Sequence, residues 1–166
     1  MSPEEDRISW TRITSRYLPA GVLILVSVLY FRFLPVNYDF DGTVFSQQLR
    51  YAALSGEIGT VVNAHHILYI PVNYIFYKVI SAVFGLPVLE YYSLQLFSLL
   101  CSLIFLYVIY ITFRRMTGDI LLSVLTMALL SSTYGIWYYA VNAEVHMAGL
   151  ALAASGPSPR PQAHQL

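Results

Sequence analysis

The chain has 166 residues, of which 57% are hydrophobic and only 11% charged, and its formal net charge is +0. A soluble domain carries about 25% charged residues, so the composition points to a membrane protein, while the balanced charge gives no pull toward nucleic acid as a partner. At about 20 residues per membrane helix, the length allows three or four spans and one substantial loop.

Residues 1–16 are polar, with Glu4, Glu5 and Asp6 followed by Arg7, Arg12 and Arg16. No small-x-small cleavage site closes the apolar run that comes next, so this is not the pattern of a signal peptide. Residues 17–34 read as the first span, with Arg32 near its end snorkelling toward the headgroups. The three preceding arginines place the amino terminus in the cytoplasm. Asp39 and Asp41 then fall on the outer side.

Residues 35–64 read as a polar loop with Arg50, Glu57 and glycines at 42, 56 and 59. A loop of roughly thirty residues is long enough to be functional or to carry structure of its own. Residues 65–85 are ambiguous, because they are long enough to span but contain Pro71, Asn73, Lys78 and Ser81. His66, Asn73, Tyr77 and Ser81 recur at roughly helical spacing and define a polar stripe. The stripe suits a helix lying in the interface and equally a span that lines a cavity. Residues 91–113 and 120–143 read as two clean, uncharged spans joined by a short basic turn at Arg114 and Arg115.

The positive-inside rule bears on the ambiguous segment. If residues 65–85 stay outside, Arg7, Arg12, Arg16, Arg114 and Arg115 lie inside against Arg32, Arg50 and Lys78 outside. If they span, the two sides balance. The interfacial reading is favoured, and it brings Glu144 and His146 to the side of Asp39 and Asp41. The expected architecture is therefore an all-α, polytopic membrane helical bundle of three to four transmembrane helices, with a re-entrant or interfacial helix in the first outer loop. Residues 145–154 begin another apolar helix, which Pro157, Pro159 and Pro161 stop. The expected division is a cytoplasmic segment at 1–16, an incomplete transmembrane domain at 17–154 and a Pro-rich, disordered or non-native tail at 155–166, as in a truncated or frameshifted piece of a longer protein.

Several residues are candidates for chemistry. Asp39 and Asp41 share a face only on an extended segment, and Gly42 favours a turn there. An aspartate at the outer end of a span is placed to act as general base on an acceptor hydroxyl; the plainer reading is a pair of solvated loop acids. A carboxylate at the bilayer centre costs about 2.5–3.5 kcal/mol on insertion scales, so Glu144, after 24 uncharged residues, belongs at the interface. Its plainer role is to favour the start of the next helix dipole. His65, His66 and His146 raise a divalent metal as an alternative to lipid phosphate or solvent, but no pair among them has the three- or four-residue separation of a helical ligand set. The residues assign no certain cofactor. Lys78 offers a point charge for a phosphate or simply snorkels. Cys101, the single cysteine, reads as packing.

These residues carry a resemblance. An Asp-Gly pair just after the first span, a histidine followed by a proline-containing helix, and two clean spans ending in Trp137-Tyr138-Tyr139-Ala140-Val141-Asn142-Ala143-Glu144-Val145 resemble the GT-C-type membrane glycosyltransferases, in the branch related to protein O-mannosyltransferases. Where that branch has Asp-x-Gly-Glu-Phe, this chain has Asp41-Gly42-Thr43-Val44-Phe45, keeping the aspartate and phenylalanine but not the glutamate. The family's His-Pro-Pro-Gly-Tyr-Pro appears more loosely as His65-His66-Ile67-Leu68-Tyr69-Ile70-Pro71. The resemblance spans about residues 17–154 and implies the amino-terminal part of a multi-pass enzyme, inactive by itself. Such an enzyme moves a sugar from a polyprenyl-phosphate donor to an acceptor hydroxyl on the extracytoplasmic side. It implies that Asp41 is the base, with Asp39 a near substitute, and that Glu144 orders the acceptor or the carrier phosphate. Lys78, Arg50, His65 and His66 are the candidate groups for the leaving phosphate. The competing class is a small non-catalytic membrane protein or transporter subunit that lines a cavity with the same acids.

Overall fold

The computed structural model describes residues 3–35, 40–57, 68–84 and 89–156, with the backbone alone for 3–16. Asp39, His65, His66 and the tail from 157 onward lie outside the described residues. Within them the chain is all-helical: α1 (Pro3–Arg32), α2 (Phe40–Ser55), α3 (Tyr69–Phe84), α4 (Glu90–Thr117), α5 (Ile120–Ser131), α6 (Tyr134–Val141) and α7 (His146–Ala154). Helix α1 runs through the polar residues 3–16 into the apolar stretch without a break.

Helix α4 is the axis of the molecule and touches each of the other six helices. It is also the one described helix long and apolar enough to cross a membrane by itself. It stops at Gly118, whose φ of +70° suits a residue without Cβ and whose N–H returns to the Arg114 carbonyl at 3.0 Å. Helix α5 starts at once, capped by Asp119, whose carboxylate accepts from the Leu122 N–H at 3.1 Å.

The expected span over 120–143 is bent. α5 and α6 pass the length and apolarity test only as a pair, with a 65° angle between them. The cause is local. Ser131, Ser132 and Thr133 are three hydroxyls in a row, and each donates to the carbonyl three residues back (Ala128, Leu129 and Leu130), all at 2.7 Å. Such bonds compete with the helical ladder and bend it. The Ser131 carbonyl is not lost, because the Tyr30 hydroxyl of α1 donates to it.

A second correction concerns 35–64. Residues 40–55 form α2 rather than a loop, and Gly42, expected in a turn, lies inside its first turns and is buried. Packing overrides propensity at this position: Gly42, Phe45, Leu49 and Ala52 form the buried stripe that seats α2 on the bundle.

Two main clusters divide the interior. One joins Val26 and Tyr30 of α1, Leu99, Leu106 and Tyr110 of α4, Val124 and Met127 of α5, and Ala140 and Val141 of α6. The other joins Phe45, Leu49 and Ala52 of α2, Tyr69 and Ile70 of α3, Tyr91 and Leu94 of α4, and Ala143. α2 and α3 therefore gather at the first turns of α4. A smaller cluster lays Met147 and Ala151 of α7 back along α4 against Cys101.

Burial on α3 does not sort by polarity, since Ile70 and Asn73 are both buried and Lys78 is exposed beside apolar residues. Asn73 is 0% exposed, whereas Ile75 is 62% and Val83 72% exposed. Of the expected polar stripe, Asn73 is buried, Tyr77 packs against the second cluster and Ser81 is half-buried, while His66 lies outside the described residues. α4 and α5 follow suit: Ser93, Gln95, Ser98, Ser102 and Ser123 are fully buried while Leu100, Ile104, Leu125 and Leu129 point outward.

Candidate functional site

Where α6 ends inside the bundle, its last carbonyls need donors. The Asn142 side chain supplies one to the Tyr138 carbonyl at 3.0 Å. Gln95, on the second turn of α4, supplies another. Its amide donates to the Val141 carbonyl and to the Pro35 carbonyl just past α1, both at 3.1 Å. One turn further on, the Ser98 hydroxyl donates to the Glu144 carbonyl at 3.0 Å and accepts from the Glu144 N–H at 3.3 Å.

These bonds define one end of the molecule. The exit of α1, the start of α4 and the α6–α7 junction meet there, so the chain between Pro35 and Glu90 leaves and returns at the same end. The cluster that holds Ala143 also holds Phe45, one helical turn after Asp41. Glu144 and the first turn of α2 therefore share this end. Arg114 and Arg115 lie at the other: from Ser98 to Arg114, α4 rises about 24 Å.

Glu144 is itself buried. Its carboxylate lies 3.8 Å from His146 Nε2, and the imidazole is exposed. The His146 ring sits on Tyr139 with centroids 4.7 Å apart. Beside it an open depression of about 440 Å³ is lined by Tyr139, Val145, His146, Gly149 and Leu150.

The remaining candidates are placed as follows. Asp41 is exposed in the first turn of α2, where a carboxylate favours the helix dipole. Arg50 is exposed on the same helix. Lys78 is exposed on α3, its ammonium 5.4 Å from the centroid of the Tyr74 ring. The structure thus brings Glu144 together with His146 and puts α2, which bears Asp41, at the same end. It gives no contact between Asp41 and Glu144. Among the described residues no three His, Cys, Asp or Glu side chains converge as a metal set.

Gln95 and Ser98 were not singled out from the sequence. The available signal was a polar pair at i and i+3 inside an otherwise apolar span, which in such a setting faces protein rather than lipid. No protein family matches the chain, and no curated protein or solved structure matches it.

Proposed function

We propose that this chain is the part of a multi-pass, integral membrane glycosyltransferase of GT-C type that carries the first outer loop. The enzyme would take a sugar from a polyprenyl-phosphate donor and pass it to an acceptor hydroxyl on the extracytoplasmic side. The observation that carries the reading is a buried carboxylate, Glu144, held at the bundle end to which α2 brings Asp41.

The membrane setting has its own support. Several polar side chains of α3, α4 and α5 are fully buried while large apolar ones are exposed on the outer faces of the same helices, which is favourable in hydrocarbon and costly in water. The apolar window of α4 is only 33% buried, unlike the core helix of a soluble protein. With α1 and the bent α5–α6 pair as further crossings, α2 and α3 rest at the outer interface, where a donor with a polar sugar and a long apolar tail satisfies both its ends.

Sugar transfer to a hydroxyl needs a base at the acceptor oxygen and cationic or hydrogen-bonding groups at the leaving phosphate. Asp41 takes the first role, with Asp39 as substitute. Lys78, Arg50, His65 and His66 are the groups for the second, and Glu144 orders the reactants.

The test is transfer of a labelled sugar from a polyprenyl-phosphate donor by the full-length, membrane-embedded enzyme that contains this chain. Asp41→Asn should abolish transfer and leave insertion intact. Wild-type rates in both Asp39→Asn and Asp41→Asn would remove the catalytic assignment and leave Asp41 as a helix-start carboxylate of a non-catalytic membrane protein. Cysteines at Gln47 and His146 should react with an impermeant reagent from the same, outer side; labelling from opposite sides would overturn the topology.

A further inference from the structure

We infer that Gln95 and Ser98 are positioning residues that set the spacing between the two acid-bearing segments; the catalytic half of this inference rests on the transferase reading above. Both side chains are fully buried in α4, one turn apart on the same face. Gln95 holds the backbone at Pro35, six residues before Asp41, and the backbone at Val141, three before Glu144, through one amide nitrogen at 3.1 Å to each. Ser98 then fixes the Glu144 backbone through both its N–H and its carbonyl.

A side chain meant only to cap α6 would need one of these bonds. Gln95 makes two, to segments that sequence separates by about a hundred residues, and its Oε1 is left buried without a partner. The cost of that orphan acceptor is accepted where the amide is needed as a double donor. Leucine would fill the volume and donate to neither carbonyl. Because a displacement of about 1 Å at a reacting centre can cost about a hundredfold in rate, loosening this clamp should act on turnover rather than on donor affinity.

The experiment has two independent arms. In a Cys101→Ala background, spin labels at Gln47 on α2 and Leu152 on α7, both exposed, report the spacing of the two segments in the membrane-embedded protein. Gln95→Leu and Ser98→Ala should shift or broaden the distance distribution, and Ser98→Thr, which keeps the hydroxyl, should restore it. In the transfer assay Gln95→Leu should lower kcat by about a hundredfold with donor KM within about twofold, and Ser98→Thr should exceed Ser98→Ala. Unchanged label distances in both Gln95→Leu and Ser98→Ala overturn the clamp, whether or not any transfer is seen. Altered distances with an unchanged kcat overturn its catalytic role. Altered distances in the variants, where the full-length wild-type enzyme transfers no sugar, uphold the clamp and overturn the transferase reading alone.

Discussion

The two halves of the bundle are held together by different chemistry. The half around Leu106, Val124 and Met127 has a mostly apolar interior whose buried serines, Ser102, Ser123 and Ser131, each donate to a nearby carbonyl, and the Tyr30 hydroxyl bonds the Ser131 carbonyl at its bend. The half around the start of α4 buries Asn73, Ser93, Gln95, Ser98, Asn142 and Glu144, and three of their polar atoms, Asn73 Oδ1, Ser93 Oγ and Gln95 Oε1, have no partner. Orphaned buried polar atoms are costly. The orphaned polar atoms lie at the end that holds Glu144 and, on α2, Asp41.

This contrast is open to direct attack. The largest stability effect is expected in the apolar half: Leu106→Ala, at a side chain with no exposed surface, should cost about 2–5 kcal/mol, read from denaturant unfolding in detergent. At the turn between α4 and α5, Asp119→Ala removes the cap on Leu122 and should cost about 1 kcal/mol. The smallest effect, and the one of opposite sign, is expected in the polar half. Asn73→Leu gives up one bond to the Tyr69 carbonyl at 2.9 Å and one orphan acceptor, and should stabilise by less than about 1 kcal/mol. A large loss of stability in Asn73→Leu would mean that the polar interior is structural and would erase the distinction between the halves.

The sequence made some of this legible and hid the rest for physical reasons. The long uncharged run with Arg114 and Arg115 behind it announces α4, because hydrophobicity and length alone define such a helix. The stripe through Asn73 and Tyr77 marks a polar face on α3 but not its direction, since a period says nothing of which solvent lies outside. The bend escaped because Ser131, Ser132 and Thr133 count as weakly polar in a hydropathy reading, although their backbone-directed hydroxyls decide the geometry. α2 escaped because Gly42 argues locally for a turn, and only its burial against the bundle favours a helix. For the site, Glu144 stood out as a lone charge after an apolar run. Gln95 and Ser98 did not, because their partners are backbone carbonyls and an N–H that no residue type reveals.

The bend has a consequence for depth. α4, with 28 residues, measures about 42 Å end to end at 1.5 Å per residue. The α5–α6 pair advances far less: about 18 Å along α5, and only about 5 Å more from α6 once the 65° angle is taken into account. A hydrocarbon layer is about 30 Å thick, so a crossing of about 23 Å ends short of the far boundary. If the pair crosses a bilayer as proposed, Val141 and Glu144 would sit at the floor of a dimple, where the surrounding lipid must thin to meet them. On the transferase reading proposed above, a lipid-borne phosphate next to the protein would be drawn down to the carboxylate's level, and the thickness of the host membrane would become part of the geometry of the site.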